Sequence, residues 1–247
     1  MSNPAKAGGE SSSPSHPTQD AVQSRDLRVG MVVYDSVRPE TVGSVYPLAQ
    51  FASLDIVAGC YVDRGRNIIA ERTTEPFLLF VDADMSFTGN ELMMLKDALD
   101  EDPTIGAIGG IYVKRTGNFQ PICHWVEGEG DDRIWVSGRE VYERTIKYMD
   151  DEAIADVDSF GTGLLMIRTE AMEAIGKPYF QTKFDEKTEQ FWGEDVLFCK
   201  RLKEAGWRSC IHFGVKPAHY GTVGFLPDQM RHIELPEETD EEVCHAA

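Results

Sequence analysis

The sequence predicts an α/β fold: a Rossmann-like, mostly parallel central sheet with helices on both faces, in a single domain. Short apolar runs alternate with stretches of helical spacing in the order strand, helix, strand, helix, strand. That order is the pattern of a parallel sheet with covering helices. The chain has 247 residues of 42% apolar composition, enough to bury one sizeable core and within the usual size of one domain.

The elements follow in order. LRVGMVVY, from Leu27, is a short buried strand. Pro39 opens a helix-compatible stretch, PETVGSVYPLAQFA, whose regularity Pro47 limits. A second apolar run, LDIVAGCYV, precedes GRNIIAERTTE, where Ile68, Ile69 and Arg72 have helical spacing. After Glu75 and Pro76 comes PFLLFV, the most apolar short run. Thr88 and Glu91 form a capping-box pair ahead of ELMMLKDALDED, whose Leu92, Leu95 and Leu99 share one face. TIGAIGGIYVKR is a further strand, interrupted by Gly109 and Gly110. Residues 115 to 152 are mixed, charged and weakly periodic, and read as a variable excursion. DVDSFGTGLLMIR is again a strand, with a Gly-Thr-Gly step. Thr169 caps EAMEAI, which Gly176 and Pro178 end. FWGEDVLFCKRLKEAG is a loop and then a helix with Val196, Cys199 and Leu202 inward. WRSCIHF is a last strand before KPAHYG.

The domain is expected over 27–222, between a Ser/Pro/Gly-rich disordered tail at 1–26 and an acidic tail at 223–247. The formal charge is −18, of which the segment between the tails keeps −11. Such a surface repels a phosphate backbone and argues against a nucleic-acid partner. An anionic substrate then needs a local cation, which points to a bound metal. The five cysteines (Cys60, Cys123, Cys199, Cys210, Cys244) include no CxxC pair and read as buried free thiols in a reducing compartment. With no run of about 18 apolar residues and no signal-like start, the expectation is a soluble, cytoplasmic protein without a membrane segment.

Three constellations carry chemistry. In VDADM, Asp82 and Asp84 follow a buried strand, and an extended backbone would point both carboxylates to one side. Ligands of open parallel sheets sit beyond the carboxyl ends of the strands, where two carboxylates can hold Mg2+ or Mn2+. Asp156 and Asp158 form a second such triplet without that setting. In FWGEDV, Glu194 and Asp195 stand in the first turn of a helix. They either favour its dipole or provide a base, with Gly193 allowing a bend and Trp192 a plane on which a sugar can rest. His219, after the last strand, is either structural or a metal ligand returning to the same edge. Arg64, Arg66 and Asn67 could contact nucleotide or lie on a solvated turn, and Lys114 and Arg115 have the same two readings. The Gly161-Thr162-Gly163 step leaves room for a sugar or marks a bulge.

Taken in order, RGRN, FLLFVDADM, AIGGIYVKR, GTGLLMIR, FWGEDVLFCKRLKEAG and AHYG resemble the GT-A glycosyltransferases, in particular small family-2-like members of bacteria and their phages. The resemblance spans roughly residues 27 to 222. It implies a metal-dependent transferase with a nucleotide-sugar donor, UDP- or GDP-linked. It gives Asp82 and Asp84 the metal and the diphosphate, His219 a further metal position, and Asp35, Arg64, Arg66, Ala83 and Gly163 places around the donor. Trp192 and Gly193 fall at the acceptor, with Asp195 as base and Glu194 binding acceptor hydroxyls. The first strand ends VVYDSVRPE, without the proline-x-asparagine-glutamate signature of many family-2 enzymes. Residues 115 to 152, the expected place of acceptor specificity, carry no motif of that resemblance. The expected reaction is direct displacement with inversion, Asp195 being kept ionised by its place at a helix start. The rivals are a nucleotidyltransferase, a non-catalytic sugar-nucleotide or glycan-binding module, and a transferase acting on modified DNA bases.

Overall fold

Seven strands form the central sheet of the computed structural model, which describes residues 25–115, 118–128, 134–186, 189–221 and 224–232. They are β1 (Leu27–Val33), β2 (Ser53–Ala58), β3 (Phe77–Val81), β4 (Ile105–Gly110), β5 (Ile154–Asp156), β6 (Leu164–Arg168) and β7 (Arg208–His212). Their spatial order is β2-β1-β3-β6-β4-β7-β5. β1 pairs in parallel with β2 and β3, and β4 with β7. β6 is antiparallel to β3 and β4, and β5 to β7. Five strands therefore run one way and two the other, and the carboxyl ends of β1, β2, β3, β4 and β7 share one edge. The Gly161-to-Gly163 step, just before β6, lies at that same edge.

The helices are α1 (Pro39–Val45), α2 (Val62–Arg72), α3 (Gly89–Glu101), α4 (Gly138–Asp150), α5 (Thr169–Ile175) and α6 (Glu194–Glu204). β3 is buried at every residue. Since strand side chains alternate, that requires cover on both sheet faces. α2 packs on β1 and β2, α3 and α5 on β4 and β6, and α6 on β7. Phe80 of β3 meets Phe180 edge-on, and Phe180 stacks on Phe198 of α6. The α3 capping box is present: Glu91 N–H donates to Thr88 Oγ1 and Thr88 N–H to Glu91 Oε2. Pro47 falls where α1 gives way to a 3-10 turn at Tyr46–Gln50.

Several local expectations are corrected. Thr169 does not cap α5: its hydroxyl donates to the Glu75 carbonyl, while Arg168 is the N-cap residue. Leu197 and Phe198, not Val196, join Cys199 and Leu202 in the buried face of α6. The excursion contains α4, which buries Val141, Tyr142, Thr145 and Met149, and a hairpin of Val126–Glu127 with Ile134–Trp135. Phe191 and Trp192 belong to a strand, Gln190–Trp192, antiparallel to Lys183–Asp185, rather than to a loop, and Gly193 is the N-cap residue of α6. Cys123, Cys199 and Cys210 are buried and free, and burial pushes each thiol up to about 12, so they stay protonated. Cys60 is a free thiol at the site edge, and Cys244 lies outside the described residues.

Residues 1–24 of the expected leading tail and 233–247 of the acidic one also lie outside the described residues. Within the segment read as that acidic tail, Pro227–His232 forms a 3-10 turn that buries Met230, and Arg231 pairs with Asp150 of α4. Among the described residues, no helix is long and apolar enough to cross a membrane.

Candidate functional site

The shared carboxyl edge opens into a cavity of about 750 Å³, within the usual range for a small-molecule site. Its lining comes from the segments after β1 (Tyr34 to Pro39), β2 (Cys60 to Val62) and β3 (Asp82 to Asp84), with Arg115 from beyond β4. Crevices outside the carboxyl ends of strands are where open α/β sheets bind ligands.

The Asp82-Ala83-Asp84 triplet is a turn, not a strand extension, because Met85 N–H donates to the Asp82 carbonyl. The Ala83 carbonyl accepts from Arg38 N–H and from the Thr41 hydroxyl, which pins the turn to α1 and its entry. The two carboxylates consequently face different partners. Asp82 Oδ1 accepts from Arg66 Nη2 at 2.8 Å. Asp84 Oδ2 lies 2.7 Å from Arg115 Nη1, and its Oδ1 3.7 Å from His219 Nε2.

His219 returns to this edge because the short strand Ala218–Tyr220 pairs with Met85–Ser86. Its Nδ1 is 2.9 Å from the Val113 carbonyl, and its ring meets Tyr112 edge-on. A carbonyl can only accept, so Nδ1 donates to Val113 and Nε2 is the ring nitrogen that faces Asp84. Burial alone would raise the Asp84 carboxyl, but the His219 contact and then Arg115 outweigh it and hold it below its ordinary value. Asp84 is therefore an anion facing a nitrogen donor, a pair that fits a hard or borderline divalent cation. Asp82 does not join that pair. Among the described residues, no three His, Cys, Asp or Glu side chains converge as a metal cluster, so further positions would fall to phosphate oxygens and water.

Arg66 is buried, at 2% exposure, and its guanidinium forks between Asp82 and Glu194 of α6. It ties the DAD turn to the helix start rather than facing the cavity. Arg64 is exposed and is not among the cavity residues, nor are Gly163 and the GED residues. Asn67 is spent on structure: its amide donates to the Asp63 and Phe180 carbonyls and accepts from Tyr179 and Phe180 N–H. Lys114 turns to Gln120, while Arg115 lines the cavity. Asp35 is exposed and lines the cavity, as do Tyr34 and Tyr61.

Gly193 begins α6 with φ of −64°, so the turn does not require glycine. The carboxylate of Asp195 does, because a Cβ at 193 would sit 2.5 Å from Asp195 Oδ1. Asp195 also accepts from Val196 N–H. Burial first, and then the neighbouring Glu194 charge, raise its carboxyl above the ordinary aspartate value, which corrects the expectation that the helix start alone sets its charge. Trp192 packs at 6.1 Å against Trp135 of the excursion hairpin. Sequence reading missed Trp135, and no local motif marks it.

Tyr112 is the second residue missed. Its buried hydroxyl accepts from Gly163 N–H at 2.8 Å, and burial followed by the Asp82 charge pushes its ionisation far up, so it stays neutral. The room left by Gly161 and Gly163 is filled by this ring: Cβ atoms there would lie 2.4 and 2.7 Å from its hydroxyl. Gly161→Ala is expected to cost about 1–3 kcal/mol in urea unfolding, with part restored by adding Tyr112→Phe. Wild-type stability in Gly161→Ala would contradict this packing.

The second triplet is structural. Asp156 pairs with Arg208, and Asp158 pairs with Lys203 and accepts from Val126 N–H.

No protein-family model matches the sequence, and no curated protein matches it either. Among solved structures, A197 from STIV superposes with a TM-score of 0.55 at 18% identity, over 89% of this chain and 98% of that one. The two chains share a fold. GalNAc-T7, solved with UDP, GalNAc and Mn2+, gives a TM-score of 0.49 at 11% identity, over 78% of this chain and 43% of that one. Mannosyltransferase PcManGT from Pyrobaculum calidifontis, in complex with GDP-Man and Mn2+, gives 0.44 at 15% identity, over 74% of this chain and 56% of that one.

Proposed function

We propose that this chain is a divalent-cation-dependent glycosyltransferase of the GT-A type, moving a sugar from a UDP- or GDP-linked donor to an acceptor hydroxyl with inversion. The observation that carries the reading is Asp84, which lines the cavity and faces His219, with Asp82 beside it linked to Glu194 and the start of α6 through Arg66. The turn that bears Asp84 and the helix start that bears Asp195 are thereby tied together.

Asp84 and His219 would hold Mn2+ or Mg2+, which when bound offsets the charge that grows on a departing diphosphate. The remaining roles belong to this chain's own residues. Tyr34, Tyr61 and Asp35, which line the cavity, offer aromatic faces and an acceptor oxygen for a nucleobase. Arg115 supplies a guanidinium at the diphosphate end. Asp195, in its ionised form, takes the proton of the attacking hydroxyl. Trp192, with Trp135 beside it, gives an acceptor sugar a surface to rest on.

A nucleotidyltransferase reading has less support, because DSVRPET after β1 lacks a glycine-rich basic loop and its Arg38 is engaged with the Gly221 carbonyl. The test is binding and slow hydrolysis of UDP-, GDP- and dTDP-sugars with Mn2+ and with chelator. At least one donor is expected to bind and release nucleoside diphosphate only with the cation, and Asp84→Asn is expected to abolish that response. Silence toward every donor with Mn2+ present would overturn the proposal. Binding without turnover on any acceptor or water would favour a non-catalytic module.

A further inference from the structure

Asp84 is divided between two partners of different kinds. One oxygen faces Nε2 of His219 at 3.7 Å, and the other is 2.7 Å from Arg115 Nη1. Arg115 is half exposed, at 49%, whereas Asp84 is 22% exposed. Its other contact is a long one, 3.4 Å to the Tyr220 carbonyl. The other charged side chains lining the cavity each have a partner: Arg38 donates to the Gly221 carbonyl, Asp82 pairs with Arg66, and Asp35 accepts from the Ser36 hydroxyl. Arg115 is thus a lightly anchored cation on the carboxylate that a metal needs.

We propose that Arg115 is the resident counter-ion of the cation site: it neutralises Asp84 until a divalent cation takes that carboxylate, and then passes to the donor's diphosphate. The inference rests on the proposed function. A dication on the same carboxylate reverses the sign of the local charge and so repels the guanidinium beside it. Once released it needs an anion within reach, and a planar fork suits two phosphate oxygens. Cation and nucleoside diphosphate then assist each other's binding, and the coupling is reciprocal.

The experiment is Mn2+ titration followed by electron paramagnetic resonance, with and without UDP or GDP, on wild type, Arg115→Gln and Lys114→Gln. Without nucleotide, Arg115→Gln is expected to bind Mn2+ about two- to fivefold more tightly, the range for losing a partly exposed competing ion pair. With Mn2+ saturating, the same variant is expected to bind nucleoside diphosphate about tenfold more weakly. The two shifts have opposite signs, which a general loss of fold would not produce. Lys114→Gln should leave both affinities unchanged. Mn2+ affinity that is unchanged, weaker or undetectable in Arg115→Gln would overturn the counter-ion role. If wild type binds Mn2+ but neither nucleotide, the proposed function fails, and with it the diphosphate half of the inference.

Discussion

Asp195→Asn is expected to lower kcat by about 10²- to 10⁴-fold, the usual contribution of a positioned base, with Mn2+ and donor affinity unchanged. The substitution keeps the side-chain shape and the bond from Val196 N–H, and removes only the capacity to take a proton. Because burial and the adjacent Glu194 raise the Asp195 carboxyl, the acid limb of the kcat/KM profile should lie above the ordinary aspartate range. Activity is lost as pH falls through that raised value, since the protonated acid cannot act as a base. Single-turnover assays and a pH profile of wild type check both statements. Near-normal transfer by Asp195→Asn with intact donor binding would remove Asp195 from the chemistry. Gly193→Ala offers an independent probe: its Cβ must turn the Asp195 carboxylate aside, so kcat should fall while donor affinity holds.

Much of the fold was legible because its signals are local. FLLFV is buried on both faces and reads as an unbroken apolar run, and the Thr88–Glu91 box announces α3 by spacing alone. The order of elements also placed the DAD triplet beyond a strand's carboxyl end, and that separated it from the Asp156–Asp158 pair. The antiparallel direction of β6 was not legible, because strand polarity depends on where the preceding chain enters, and α4 and β5 intervene. α4 itself was missed although Val141, Tyr142, Thr145 and Met149 fall on one helical face, since its many charges masked the period. At the site, residue types were readable but their partners were not. Nothing local tells that Asp82 turns to Arg66 while Asp84 turns to His219, or that Tyr112 fills the space beside Gly163. Those are contacts between segments far apart in sequence.

Arg66→Met is expected to lower unfolding free energy by about 3 kcal/mol, toward the lower end for breaking a buried ion pair. The guanidinium is almost wholly buried, so in wild type its desolvation is offset by Asp82 and Glu194 together. Methionine approximates the stem but leaves the Glu194 carboxylate, 17% exposed, without its partner. Asp82, at 36% exposure, can recruit water, which is why the loss should fall short of two full pairs. Arg66→Lys should rescue little, because one ammonium cannot span two carboxylates as the planar fork does. Adding Glu194→Gln to Arg66→Met should instead recover part of the stability, since it removes the stranded charge. Urea unfolding of the single and double variants measures each step, and a fall below about 1 kcal/mol in Arg66→Met would show the network to be dispensable. The functional consequence follows from the same geometry. With the fork gone, the DAD turn and the start of α6 lose their common anchor, and Asp195 no longer has a fixed position relative to Asp84. Arg66 is therefore a positioning residue, and in Arg66→Met kcat should fall more than donor affinity does.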